Sequence, residues 1–137
     1  MAGGQVIGLD TNILLRLIDR SNEAQSMRAG RLIASAGAQG CFVNNIVLSE
    51  FAWTLARTYK RSRQEIVETI SFLVASSEIK LENMEQCNRA LAAYQTGKAD
   101  FADCLLGEIN KDFGCATTMT FDVVASGSPA FTLMEPI

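Results

Sequence analysis

QVIGLDTNILLR, residues 5–16, decides how the chain is read. Gln5–Asp10 is a short apolar run ending in a polar turn, the pattern of a buried parallel strand rather than a half-exposed one. Thr11 and Asn12 then open a helix, so the first strand delivers an aspartate, Asp10, at its carboxyl end. In open α/β sheets the ligand crevice lies outside the carboxyl ends of the strands.

Strand and helix patterns go on alternating downstream. A helix is expected after Ser21, stopping at Gly37 or Gly40, followed by a strand at Cys41–Asn44. From Leu48 the apolar positions Leu48, Phe51, Ala52, Leu55, Ala56 and Tyr59 recur at helical spacing. Trp53 on this helix reads as core, or else as an anchor for a partner. Ser62 with Glu65, and Asn83 with Gln86, have capping-box spacing and start two further helices, the second ending at Gly97. Glu78–Glu82 alternates as a strand between them. Ala102, Leu105, Leu106, Ile109 and Phe113 predict an apolar helical stripe stopped by Gly114, and Ala116–Phe121 and Phe131–Met134 are the last strands. With no repeat or linker, the expectation is a single α/β domain over residues 1–137, its central sheet mainly parallel and flanked by helices.

A chain of 137 residues, 48% hydrophobic and 20% charged, can bury a sizeable core, which excludes disorder and fibres. It shows neither a membrane-length apolar run nor the pattern of a signal peptide, so a cytoplasmic protein without membrane contact is expected. Cys41, Cys87, Cys104 and Cys115 form no C-x-x-C pair and read as reduced, mostly core thiols. With no histidine in the chain, the Ser-His, Cys-His and two-histidine schemes cannot be written. Hydrolytic chemistry would have to run on carboxylates, hydroxyls or metal.

The net charge of −3 hides an asymmetry: residues 16–63 hold eight basic side chains against three acids, and residues 64–137 hold four against eleven. A basic lobe beside an acidic one is compatible with an anionic polymer held near an acidic metal site, and also with an uneven surface of no consequence.

Asp10 ends the first strand, Glu50 lies in the opening turn of the helix after the second, and Asp122 follows the strand at Ala116–Phe121. Three acids are thus expected at one sheet edge. Asp100 and Asp103, spaced i, i+3, share a helix face and could add to them. Clustered carboxylates raise one another's pKa unless a cation neutralises them. Hard divalent ions such as Mg²⁺ or Mn²⁺ suit oxygen ligands and phosphate-containing substrates. Asp100 alone reads equally as a helix-start acid favoured by the macrodipole. Asp10, at the end of a buried strand, is harder to assign to solvation.

LDTNILLR at Leu9–Arg16, LSEFAWTL at Leu48–Leu55, ADFADCLLG at Ala99–Gly107 and TFD at Thr120–Asp122 together resemble, in order and spacing, PIN-domain ribonucleases of the VapC toxin family. The resemblance covers nearly the whole chain. It implies a metal-dependent endoribonuclease from a toxin-antitoxin pair, homodimeric and held inactive by a cognate antitoxin. Asp10, Glu50 and Asp103 match the family's Mg²⁺- or Mn²⁺-binding acids, Asp122 a more variable fourth, and Asp100 a position often acidic in similar sequences. Thr11, Asn12 and Thr120 match small polar positions that orient the carboxylates, although turn and cap chemistry also accounts for them. Such a site implies hydrolysis by metal-activated water, leaving 5′-phosphate and 3′-hydroxyl ends on the RNA.

The chain departs from the family after Asp122, where Val123–Gly127 is uncharged and a basic residue is usual. Arg57 lies on the face of Glu50, and with Lys60 or Arg61 it is a candidate RNA-phosphate contact, or a solvated helix end. A haloacid-dehalogenase-like phosphatase would need an acid where Asn12 stands, and a receiver domain would need a phospho-accepting aspartate that Ile79–Glu82 lacks. A catalytically inactive PIN-fold module that acts by binding a protein partner is the other reading.

Overall fold

A computed structural model describes residues 5–135. In chain order it contains β1 (Ile7–Gly8), α1 (Thr11–Ile18), α2 (Glu23–Ser35), β2 (Cys41–Val43), α3 (Asn45–Arg57), α4 (Arg63–Ala75), β3 (Ile79–Leu81), α5 (Met84–Thr96), α6 (Phe101–Phe113), β4 (Thr118–Thr120) and β5 (Phe131–Leu133). The described residues form two compact units, one running up to residue 51 and including 69–82, the other of residues 52–68 and from 83 onward.

The first unit holds a parallel sheet in the order β1-β2-β3, with Ile7 opposite Cys41 and Cys41 opposite Ile79. Leu9 extends the first ladder, donating its N–H to the Phe42 carbonyl at 2.9 Å. The strand then stops because the next residue, Asp10, turns to cap α1: its Oδ1 accepts from the Thr11 N–H at 2.7 Å. Contrary to the expectation of a fully buried strand, β1 is an edge strand, with Val6 and Gly8 exposed and only Leu9 buried. Leu14, Leu15, Val43, Leu48, Phe51, Ile70 and Ile79 are buried. Gly40, at φ 72°, makes the turn into β2, where a Cβ would come within 2.9 Å of the Glu78 carbonyl oxygen.

Helix α3 begins three residues before the start read from its apolar stripe, because Asn44 Oδ1 accepts from the Val47 N–H at 2.9 Å and Asn45 N–H donates to Glu82 Oε1 at 3.0 Å. These polar caps precede the first stripe residue, so periodicity alone places the start too late.

In the second unit α5 packs on α6, and β4 pairs in parallel with β5. The expected stripe on α6 holds at Leu105 but is otherwise out of phase. Phe101, Cys104, Leu105, Gly107 and Glu108 form the buried face, whereas Leu106, Ile109 and Phe113 are exposed, Phe113 by 89%. Glu108 is tolerated there because Arg89 donates to it at 2.7 Å and Lys111 at 3.3 Å. Gly107 permits the close approach of β5: a Cβ would lie 2.9 Å from Ala130 Cβ and Phe131 Cε1. Gly114, at φ 108°, ends α6 in the left-handed conformation expected of it. Among the described residues every strand pair is parallel, in ladders of three and two strands. Among the described residues no helix is long and apolar enough to cross a membrane.

Candidate active site

In the first unit Asp10, Thr11 and Glu50 form one polar group. Thr11 is buried, and its Oγ1 donates to Glu50 Oε1 at 3.3 Å, so the first residue of α1 orients an acid on α3. Asp10 and Glu50 are both exposed. The burial expected of Asp10 is therefore not found; it is held by its cap bond instead. Asn12, the next residue of α1, is exposed and lines a cavity of about 410 Å³ beside α1 and α2, together with Ile13, Arg16, Arg28 and Leu32.

In the second unit the acids gather at the start of α6. Asp100 is its N-cap, with Oδ1 accepting from the Asp103 N–H at 2.8 Å. Asp103 is half-buried, and its pKa is pushed up to about 6 by desolvation first, then by the Asp100 carboxylate, a hydrogen bond to Asp100, and Asp122. Asp122 is exposed in the turn after β4; its Oδ1 accepts from the N–H groups of Val124 and Ala125 at 2.9 and 3.2 Å. Thr120 Oγ1 accepts from the Asp122 N–H at 3.0 Å, which fixes the backbone of that acid.

The donor set is carboxylate oxygen throughout, the chemistry Mg²⁺ and Mn²⁺ select. Among the described residues no group of three or more Asp, Glu or Cys side chains is gathered as a metal-holding cluster. Magnesium does not need one, since it commonly binds through one or two carboxylates and keeps several waters. The raised Asp103 marks a carboxyl that desolvation, and then the neighbouring Asp100 and Asp122, hold toward the neutral form. On donor type and electrostatics the residues fit a hard divalent cation.

The basic candidates separate. Arg57 is exposed, its guanidinium 5.9 Å from the centre of the Trp53 ring. Trp53 is itself 53% exposed, which corrects its reading as core: it lies off the buried Leu48, Phe51, Ala52 and Leu55 stripe. Trp53, Arg57, Tyr94 and Asp100 line a small cavity of about 100 Å³. Lys60 is exposed in a left-handed turn, φ 53°, and Arg61 pairs with Glu65 at 3.7 Å.

Arg63, absent from the sequence candidates, makes the densest polar contacts near these acids. It donates to the carbonyls of Tyr94, Ala99 and Lys98 at 2.8, 2.9 and 2.9 Å, with its guanidinium 4.1 Å from the Tyr94 ring centre. Its only sequence signal was a position just inside the Ser62 capping box.

The fold is α/β with parallel strands; Asp10 follows β1 in the first unit, and in the second Asp122 follows β4 and Asp100 and Asp103 open α6. Residues 7–124 match the PIN domain family, and the chain belongs to it. PIN domains are generally nucleases, hydrolases that bind RNA, and the matched span contains Asp10, Glu50, Asp100, Asp103 and Asp122. No curated protein matches the chain.

Proposed function

We propose that this PIN domain, read as one domain over residues 1–137, is a metal-dependent endoribonuclease, the toxin of a VapBC-type toxin-antitoxin pair acting in the cytoplasm. The observation that carries the reading is the half-buried carboxyl of Asp103 beside Asp100 and Asp122, lifted to about 6 by desolvation first and then by these two acids. Carboxylates brought together without a cation destabilise one another, and a nuclease site gives that arrangement a use.

Asp10, Glu50 and Asp103 would hold Mg²⁺ or Mn²⁺, with Asp122, and Asp100 directly or through water. Such an ion would acidify a coordinated water and neutralise charge on the phosphoryl and leaving oxygens. Thr11 holds the Glu50 carboxylate in place, and Thr120 holds the turn that presents Asp122. Asn12 belongs to the same opening turn of α1 and takes an orienting role. Arg57, Lys60 and Arg61 bind RNA phosphate. Water, rather than a protein side chain or the RNA 2′-hydroxyl, would attack phosphorus and the 3′-oxygen would leave, so the products would carry 5′-phosphate and 3′-hydroxyl ends.

The cognate antitoxin and a second copy of the chain are the protein partners in this reading. Exposed Leu106, Ile109 and Phe113 on α6, and Phe121, 84% exposed, supply apolar surface for them. The same surface favours the second reading, an inactive PIN module that acts through a partner alone.

Cleavage of a mixed structured-RNA pool by antitoxin-free protein in Mg²⁺ or Mn²⁺ tests the proposal, with EDTA and Asp10→Asn as controls. Cuts lost in both controls and bearing 5′-phosphate ends support it. No cleavage, or a cyclic phosphate product, removes it. A toxin should also arrest growth when expressed alone and be relieved by its antitoxin, whereas an inactive module should not arrest growth.

A further inference from the structure

Arg63 is the first residue of α4, yet its side chain is spent on the junction between α5 and α6. Tyr94 lies in the last turn of α5, where helix carbonyls lack intrahelical donors, and Lys98 and Ala99 belong to the linker that follows. One guanidinium satisfies all three carbonyls and lies against the Tyr94 ring. That ring in turn meets Phe101, the first residue of α6, edge to face, with centroids 6.0 Å apart and planes at 89°. Tyr94, Ala99 and Phe101 are all buried. The next residue after Ala99 is Asp100, whose carboxylate caps α6 and accepts from the backbone of Asp103.

We propose that Arg63 is a positioning residue for the acids of α6: it clamps the α5–α6 junction so that Asp100 and Asp103 are held where a divalent cation can use them. This rests on the metal-dependent reading given above. A planar guanidinium reaches three carbonyls from two separated nitrogens while its face lies on a ring, a spread of donors that the single nitrogen of a lysine does not reproduce. The far end of the α5–α6 pair has its own fastening, Arg89 to Glu108 and Asp112, each at 2.7 Å. Packing of the two helices therefore does not depend on Arg63 alone, whereas at the acidic end Arg63 joins the linker carbonyls to the Tyr94–Phe101 contact. Ligand placement tolerates only about 0.5 Å before a site loosens, and outer partners of metal ligands commonly command 10- to 100-fold in affinity.

The test is the affinity of the full chain for Mn²⁺, read by the electron paramagnetic resonance signal of the free ion, in wild type, Arg63→Lys and Arg89→Met. Urea midpoints in EDTA are measured on the same samples. Arg63→Lys is expected to weaken Mn²⁺ binding by about tenfold or more, while Arg89→Met lowers the midpoint and leaves affinity within about twofold. Unchanged affinity in Arg63→Lys overturns the proposal, as does an equal loss in both variants, which would make Arg63 merely structural. Wild type that binds no Mn²⁺ overturns the metal reading itself, a different failure. Should Arg63→Lys not fold, Tyr94→Leu and Tyr94→Phe decide: weaker Mn²⁺ binding in the leucine variant alone supports the clamp, and equal binding in both overturns it.

Discussion

Replacing Asp103 by asparagine should stabilise the metal-free protein near neutral pH. The carboxyl of Asp103 is pushed up from 3.8 to about 6, by desolvation and by the neighbouring Asp100 and Asp122. Two pKa units correspond to about 3 kcal/mol, which partial exposure reduces to about 1–2 kcal/mol. The sign follows from linkage: between the unfolded and folded pKa values the folded chain binds more protons, so wild-type stability falls as pH rises through about 6. Asparagine keeps a donor for the hydrogen bond to Asp100 and has no charge to repel it. Urea unfolding in EDTA should therefore show Asp103→Asn more stable by about 1–2 kcal/mol at about pH 8, with the difference vanishing near about pH 4. For a chain of this length that is a thermal shift of roughly 3–8 °C. Adding Mg²⁺ should close the gap by stabilising wild type and not the variant. An Asp103→Asn protein that is less stable than wild type at pH 8 without metal would refute the reasoning, because the charge would then be compensated inside the fold.

Thr11→Val removes the 3.3 Å bond to Glu50 with little change of shape, so stability should drop by about 1 kcal/mol or less while RNA cleavage falls about tenfold, seen by comparing unfolding midpoints with initial rates. Asp10→Asn and Asp122→Asn should fold within about 0.5 kcal/mol of wild type, since asparagine also caps, yet lose Mn²⁺ binding; variants that keep Mn²⁺ affinity would leave those acids as caps alone. Arg89→Met should lower stability and weaken its acid dependence. The Asp112 carboxyl is held below its ordinary range by Gln86 and then Arg89, so this contribution is present above the usual carboxylate pKa and lost as pH falls through the lowered one. Thiol titration of the native protein at mildly alkaline pH should count one fast cysteine: Cys115 is exposed, whereas burial keeps Cys87 and Cys104 protonated, their pKa values pushed to about 12 and about 11, and Cys41 is also buried.

The parts of the fold legible in the sequence were those that local chemistry decides. Ser62 and Glu65 make the reciprocal capping bonds their spacing predicts, at 3.1 and 2.9 Å, and Asn83 accepts from Gln86 N–H at 3.0 Å. Gly97 and Gly114 close their helices. What was not legible depends on partners distant in the chain. The apolar stripe on α6 was misplaced because Glu108 is buried by Arg89, a bond across 19 positions, while Phe113 is left in solvent. Arg63 could not be singled out because its partners lie 31 to 36 residues away and are backbone carbonyls, which carry no sequence identity.

The acids themselves explain why cap and ligand readings could not be separated by spacing. Asp10, Asp100 and Asp122 each spend Oδ1 on a backbone N–H at the start of a helix or turn. Capping uses one oxygen of a carboxylate, so the second remains a hard donor, and the cap bond restricts the rotamer that a cation would otherwise have to order. The two roles are therefore compatible. A helix start after a strand is a natural place for such an acid: the cap fixes its direction, and the carboxyl end of the strand faces the crevice where phosphate binds.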